Sequence, residues 1–233
     1  MKQAFLDDGT PNGLEIQVNT TSKGNQVRPS AAGLQGGGHV IVWGGPSAGS
    51  GSLEIFGQRY KADGTKNGGE FTVNTQVNGD QKDPVVAALA SGGFVVVWSS
   101  AGAADTGSDI RAQRFKADGT RMGSEFVAAT QTFGDQVRPT VLALSGGAFL
   151  VAWNTNQLAG SGWDLYGQRF KSTGIADGVA FQINGVMAGD QQDASAALFA
   201  DGRTILVWTG HDSLYGKDVF AQRFDPAGKK IYR

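Results

Sequence analysis

An interval of 55 residues recurs along almost the whole chain and constrains its fold more than any other feature. Three kinds of position share it: a tryptophan, a Gly-Asn/Asp-Gln triplet and a Gln-Arg-aromatic triplet. The tryptophans are Trp43, Trp98, Trp153 and Trp208, the first triplets begin at Gly24, Gly79, Gly134 and Gly189, and the second at Gln58, Gln113, Gln168 and, one residue early, Gln222. A period of this size is typical of solenoids, propellers and arrays, which reuse one supersecondary unit.

Each copy has the pattern of four short strands and shows no helical periodicity. In the second copy, residues 84–89 and 94–98 are apolar runs separated by a Ser-Gly-Gly turn. The run 94–98 is apolar at consecutive positions, which is typical of a strand buried on both faces. Residues 109–115 and 125–129 supply two further strands around an Asp-Gly turn. The pattern predicts an all-β fold, a β-propeller of four 55-residue, four-stranded blades.

The chain opens with half a repeat, because residues 3–20 match residues 58–75. We therefore divide a single domain, 1–233, into a half-repeat, 1–23, and repeats 24–78, 79–133, 134–188 and 189–233. The last outer strand, at 229–232, is weak, and residues 14–20 offer a better one. We expect the half-repeat to close the ring, within the chain or with a second subunit, because closure removes an exposed edge. The surplus strand at residues 3–8 favours a homodimer that shares strands.

A second pattern alternates between copies. Copies one and three carry Arg28 and Arg138 where copies two and four carry Asp83 and Asp193. Opposite charges then face each other at every junction only if the number of blades is even, which four blades in one chain or eight in a dimer would satisfy. The same four residues are candidate ligand-binding positions in the clefts between blades.

Composition narrows the classes of function. The net charge of −1 provides no basic field, so nucleic acid is not expected as a partner. The absence of cysteine excludes disulfides, thiolate metal sites and a cysteine nucleophile. The longest apolar run is too short to cross a bilayer, and the first residues lack a signal-peptide pattern. We expect a soluble protein without membrane insertion, and its localisation, including export or display at the cell surface, stays open.

No catalytic motif stands out. His39 and His211 occupy non-equivalent positions, and no HExxH, GxSxG or phosphate-loop sequence occurs. The Asp-Gly turns lack the acidic series of calcium-binding loops, although a calcium site built from distant loops stays open. We therefore expect a protein that is not an enzyme and that has no catalytic residues, metal or cofactor.

Loop aromatics suggest a sugar site. An exposed ring beside carboxylates suits a sugar, whose C–H face packs on the ring while its hydroxyls bond to the acids. The candidate ligand-binding residues are Trp163, Asp164, Tyr215 and Asp218, with Asp109 and Arg111 in the second copy. The repeating tryptophan is interpreted as a core residue, and the repeating arginine as a tie between neighbouring blades.

The run from Gly-Asp-Gln through Phe-Val-Val-Val-Trp to Ala-Gln-Arg-Phe-x-Ala-Asp-Gly-Thr, at residues 79–120, resembles repeats of large bacterial exported and adhesin-like proteins. Free-standing chains of a few such blades resemble bacterial propeller lectins. The resemblance implies a lectin with several equivalent low-affinity carbohydrate sites in loops or clefts between blades. The alternative is a structural or adhesion module that binds protein. An enzyme with one site on the ring axis is disfavoured by the near-identity of the repeats and the scarcity of histidine.

Overall fold

The computed structural model describes residues 2–5, 8–47, 51–102, 107–130, 134–156, 162–185, 189–212 and 216–232. These residues form four sheets of four antiparallel strands and one sheet of two strands. Within the described residues, no helix is long and apolar enough to span a membrane.

The sheets follow one another along the chain. The two-stranded sheet, called the half-blade, contains β1 (Lys2–Phe5) and β2 (Pro11–Ile16). Blade 1 contains β3 (Val27–Gly33), β4 (His39–Pro46), β5 (Leu53–Tyr60) and β6 (Phe71–Thr72). Blade 2 contains β7 (Gln81–Ala88), β8 (Phe94–Ala101), β9 (Ser108–Phe115) and β10 (Arg121–Val127). Blade 3 contains β11 (Gln136–Ala143), β12 (Phe149–Thr155), β13 (Asp164–Phe170) and β14 (Phe181–Gln182), with a 3-10 turn at Ser145–Gly147. Blade 4 contains β15 (Gln191–Leu198), β16 (Thr204–Asp212), β17 (Gly216–Phe224) and β18 (Lys230–Ile231).

Every blade pairs its strands in chain order, and the first strands of successive blades contact each other: β3 with β7, β7 with β11, and β11 with β15. These four strands are therefore the innermost ones, around a common axis. This is the arrangement of a β-propeller, and it confirms the predicted all-β, four-stranded units.

The second strands of blades 1, 2 and 3 are buried on both faces, as their uninterrupted apolar sequences predict, whereas that of blade 4 keeps Val207 exposed. In β8, Phe94, Val96 and Trp98 pack against blade 1, whereas Val95 and Val97 pack against blade 3. Each strand of this kind thus contributes to two separate clusters of the core. The core lies between the blades, so the stability of each blade depends on its neighbours.

The repeating tryptophan is a core residue, as interpreted from the sequence. Trp98 and Trp153 are fully buried, and their indole N–H groups donate to Gln81 Oε1 and Gln136 Oε1 at 2.9 Å. The same bond joins Trp43 to Gln26 and Trp208 to Gln191. Because a buried indole N–H needs an acceptor, the repeat preserves the tryptophan and the glutamine together.

The repeating arginine ties neighbouring blades, as also interpreted. Arg59 Nη1 donates to the Ala117 carbonyl oxygen of blade 2 at 3.1 Å, and Arg114 Nη1 donates to the Ser172 carbonyl oxygen of blade 3 at 2.6 Å. The Arg114 side chain lies directly over Gly174, where φ is 83° and an added Cβ would meet the guanidinium group at 2.6 Å. The glycine of this turn is therefore required both by its backbone and by the arginine above it.

The half-blade does not pair with blade 4 in this structure, so closure within one chain, one of the two alternatives that the sequence left open, is not confirmed. β2 pairs with β1, and blade 4 forms its own short outer strand, β18. The half-blade packs instead on blade 1, where Val18 joins a buried cluster with Ile41 and Trp43. Burial of these side chains against the neighbouring sheet decides the placement. Closure through a second subunit stays a prediction.

Candidate functional site

Each innermost strand contains one irregularity in its register, and each irregularity places a side chain toward the axis. The shifts lie between Val27 and Ser30 and at the equivalent positions of β7, β11 and β15. The residue at each shift has a positive φ: Arg28 (51°), Asp83 (53°), Arg138 (51°) and Asp193 (58°). Among the described residues these are the only non-glycine residues with positive φ. Bulges of this kind re-aim a side chain and are frequent beside active sites.

A left-handed backbone at a non-glycine residue costs on the order of 1–3 kcal/mol and persists only where the surrounding structure imposes it. Pro29, Pro84 and Pro139 follow three of the four strained residues. Proline has no N–H to donate to a strand ladder, so it fits a position where the ladder is interrupted. The strain recurs in all four blades, at the position that reaches the axis.

The four strained residues line a single cavity of about 600 Å³. The remaining lining residues are small or apolar: Pro29, Ser30, Pro84, Val85, Pro139 and Ala194. Residues that are 55 positions apart in sequence thus meet at one place. The sequence had singled out Arg28, Asp83, Arg138 and Asp193 for clefts between blades, and the structure brings all four into this axial cavity.

The charges in the cavity form two ion pairs between neighbouring blades. Arg28 Nε lies 2.7 Å from Asp83 Oδ1, and Arg138 Nη1 lies 2.9 Å from Asp193 Oδ1. No ion pair within 4.0 Å joins Asp83 to Arg138 among the described residues, so two of the three junctions are paired. All four side chains keep exposure, from 22% for Asp83 to 67% for Arg28. Pairs as exposed as these stabilise a fold little, typically by about 0–1 kcal/mol, and stay accessible to a ligand.

The other predicted ligand residues lie outside the cavity lining. Asp164 is buried within blade 3, where it accepts a hydrogen bond of 2.7 Å from Asn184 Nδ2. Trp163 is half-buried, and its backbone N–H donates to Asp190 Oδ1 at 3.1 Å. Asp218 is exposed on β17. Tyr215 lies outside the described residues.

In blade 2, Asp109 is half-buried, and burial raises the pKa of its carboxyl, with nearby Arg111 opposing the shift. Arg111 Nη1 pairs with Glu125 Oε1 at 3.0 Å. The predicted residues Asp109, Arg111, Asp164 and Asp218 all come from third strands and are spread over three blades. No three potential metal ligands from His, Cys, Asp or Glu come together in the part of the chain that the structure describes.

No protein-family model matches the sequence, and a search of curated proteins finds no match. Solved structures do resemble the fold. An endo-arabinase from Bacteroides thetaiotaomicron is 11% identical, with a TM-score of 0.58 over 88% of this chain and 78% of that one. The Penicillium chrysogenum α-L-arabinanase complexed with arabinobiose is 15% identical, with a TM-score of 0.62 over 87% and 64%. A GH43 endo-arabinanase from Bacillus licheniformis is 15% identical, with a TM-score of 0.52 over 89% and 77%.

At these identities the likeness concerns the fold, and it supports a β-propeller-like architecture. The same neighbours contradict the expectation of a lectin or a non-catalytic adhesion module, and with it the prediction that the chain is not an enzyme, because they are glycoside hydrolases. The near-identity of the repeats had counted against a single axial site. However, neighbouring copies carry opposite charges at the axial positions. Four similar blades therefore enclose a cavity whose lining differs from blade to blade.

Proposed function

We propose that this protein is a glycoside hydrolase whose active site is the axial cavity lined by Arg28, Asp83, Arg138 and Asp193. The observation that carries the proposal is the convergence of four strained, charged side chains in one cavity. It is supported by the glycoside hydrolases of similar fold. A volume of about 600 Å³ is within the range of small-molecule sites.

Hydrolysis of a glycosidic bond commonly requires two carboxyl groups, one ionised and one able to deliver a proton. Asp83 and Asp193 are the two carboxylates that line the cavity. We assign the ionised role, as a base or nucleophile, to Asp83. Its side chain is the less exposed of the two, and Arg28 Nε holds it in place from 2.7 Å.

The proton donor in this proposal is Asp193, whose side chain is 63% exposed. This exposure leaves the carboxyl open to a sugar that enters the cavity. Arg138 Nη1 pairs with Asp193 Oδ1 at 2.9 Å. The Nη1 atom of Arg138 also donates to Gln192 Oε1 at 3.3 Å, so the guanidinium keeps an acceptor if a sugar displaces it from Asp193.

We infer that the substrate is a neutral glycan. The charges of two guanidinium groups and two carboxylates sum to zero. The cavity therefore has no net charge with which to attract an acidic or a basic sugar. Arabinan and its oligosaccharides are the first substrates to examine, because arabinanases and arabinofuranosidases are among the structural neighbours and two of them were solved with arabinobiose.

The test measures reducing sugar released from arabinan, and aryl arabinofuranoside cleavage, by the intact protein. We expect Asp83→Asn and Asp193→Asn each to lower the rate by at least about 100-fold, since a positioned acid or base contributes that much. Asp201→Asn is the matched control, because Asp201 pairs with Arg203 in a turn of blade 4 and does not line the cavity.

Three outcomes would contradict the proposal. One is an intact protein that cleaves no member of a broad glycoside panel. Another is binding of a glycan without its cleavage. The third is full activity in the Asp83→Asn variant.

A further inference from the structure

The half-blade has an open inner edge. In each complete blade the third strand pairs with both the second and the fourth, whereas β1 pairs with β2 alone among the described residues. Phe5 in β1 is 62% exposed, although its counterparts Tyr60, Phe115, Phe170 and Phe224 are at most 2% exposed. An exposed phenylalanine at a position that is buried in every other repeat indicates a missing cover.

The complete blades show what that cover is. Phe115 stacks on Phe94 with ring centroids 4.9 Å apart, and Phe170 stacks on Phe149 at 5.0 Å. In blade 1 the corresponding pair is Tyr60 and His39, at 4.7 Å. In these three blades the second ring is the first residue of the second strand, whereas in blade 4 that residue is Thr204, which pairs with Phe224. Phe5 therefore lacks the ring that an inner strand would supply.

The half-blade occupies the position of the outer half of a blade that precedes blade 1. The backbone N–H and the hydroxyl of Thr20 donate to Glu70 Oε2 at 2.7 and 2.9 Å. One repeat later, Thr75 makes the same two bonds to Glu125 Oε2, at 2.6 and 2.9 Å. The half-blade is thus attached to blade 1 as blade 1 is attached to blade 2, and the place of its absent inner strands is defined.

That place is uncovered on blade 1 as well. Ala31, on the innermost strand of blade 1, is exposed, whereas its counterpart Val86 in blade 2 is 8% exposed because blade 1 covers it. The deeper residues Ile41 and Trp43 are already covered, at 8% and 4% exposure. The inner part of this face, at Ala31, is therefore exposed, whereas its outer part, at Ile41 and Trp43, is covered by the half-blade.

Blade 4, at the other end of the array, also has an uncovered apolar face. Val219 is 82% exposed and Val207 is 36% exposed. Their counterparts in blade 2, Ile110 and Val97, are fully buried against blade 3. The apolar face that each earlier blade presents to its successor is thus present on blade 4 without a successor against it.

We propose that this open junction binds a β-hairpin with the pattern of the inner half of a repeat, presented by another polypeptide segment. The hairpin pairs with the free edge of β1, covers Ala31 and presents its other face to Val207 and Val219. Binding by strand addition to a free edge is a common mode of recognition, in which side-chain pockets supply specificity.

The structure specifies the sequence of the second strand of the hairpin. As in blades 1 to 3, it begins with an aromatic residue that stacks on Phe5, continues with apolar residues and ends in tryptophan. In blades 1 and 2 a glycine precedes this aromatic residue, and a Cβ on Gly93 would collide with the Phe115 carbonyl oxygen, whereas blade 3 has Ala148 at the same position. The first strand carries the glutamine that accepts the indole N–H, as Gln81 does for Trp98.

The chain itself provides a probe. Arg233 is in register with Gly69, so a copy of residues 70–101 added after Arg233 continues the repeat through the strands equivalent to β7 and β8. One control carries only the copy of residues 70–78. A second control carries the whole copy with Phe94→Ser and Trp98→Ser in the added segment. Hydrogen exchange of the β1 amides and the melting temperature are measured for all three and for the unextended protein.

We expect the full extension alone to slow exchange of the β1 amides by at least about 10-fold, since paired edge amides open less often. We also expect it to raise the melting temperature above that of both controls. Unchanged β1 exchange in the full extension would overturn the proposal, as would its failure to fold while the 70–78 control folds. An unextended protein that is a dimer with protected β1 amides would also overturn it, because a second copy would then occupy the junction.

Discussion

At the scale of single residues, the chain places strain and charge at the same four positions. Arg28, Asp83, Arg138 and Asp193 adopt a backbone that glycine would adopt at lower cost, and each carries a charge into the axial cavity. Their exposed ion pairs contribute too little to offset the strain. A structural role would be served better by glycine, so the retention of charged residues there supports a role in the cavity.

Asp193 offers a direct measurement of this strain. Asp193→Gly and Asp193→Ala both remove the ion pair with Arg138, and they differ in the cost of a φ near 58° and, in the opposite direction, in the backbone entropy of the unfolded chain. We expect the glycine variant to be more stable than the alanine variant by roughly 1 kcal/mol, since alanine is disfavoured at positive φ. Urea denaturation measures the difference, and both variants should lose activity. Equal stabilities would show that the backbone at this position is not strained.

At the scale of elements, the stability of a blade depends on ties to its successor. The guanidinium of Arg114 donates to the Ser172 carbonyl oxygen of the next blade, and its side chain covers Gly174. In blade 4 the equivalent residue, Arg223, is exposed and has no acceptor among the described residues. The repeating arginine therefore occurs in this chain both with the hydrogen bond to the next blade, at Arg114, and without it, at Arg223.

This difference provides a matched pair of substitutions. Arg114→Met should lower the free energy of unfolding by about 1 kcal/mol, because it removes a charge-assisted hydrogen bond between blades and keeps most of the side-chain volume. Arg223→Met should leave stability nearly unchanged. Thermal unfolding of both variants makes the comparison, and equal losses would mean that the arginine does not act through the next blade.

At the scale of the whole molecule, the half-blade protects one end of the array. Val18 packs on the cluster that contains Ile41, Trp43 and Tyr60, and Lys2 Nζ lies 3.5 Å above the centre of the Tyr60 ring. These contacts replace the complete blade that covers the same face at every later junction.

Deletion of residues 1–20 should therefore expose Trp43, which is 4% exposed in the intact chain. We expect a lower melting temperature and a red shift of tryptophan fluorescence, because apolar surface returns to water. Leu14→Ser is the control, since Leu14 is 88% exposed and should tolerate the change. An unaltered melting temperature after the deletion would place the half-blade outside the folded core.

Much of the architecture could be predicted from the sequence. The doubly apolar strand at 94–98 is buried on both faces, and the third strand, expected at 109–115, is observed at Ser108–Phe115. The fourth strand of blade 2 begins earlier than its apolar residues suggested, at Arg121, because the Asp-Gly turn sets the pairing of Arg121 with Phe115. Such features follow from local alternation, turn chemistry and burial, which the sequence records residue by residue.

The axial cavity and the open junction required the tertiary structure. The sequence determined the 55-residue unit, its four strands, its core tryptophan and the alternation of arginine and aspartate at one position of the repeat. It did not determine where that position points, because the positive φ arises at a register shift in strand pairing. Nor did it determine which faces stay uncovered, since Val207 and Val97 occupy the same position of the repeat and only the packing of a further blade distinguishes them. Periodicity specifies each unit locally, whereas the cavity and the uncovered faces depend on how separate units pack in space.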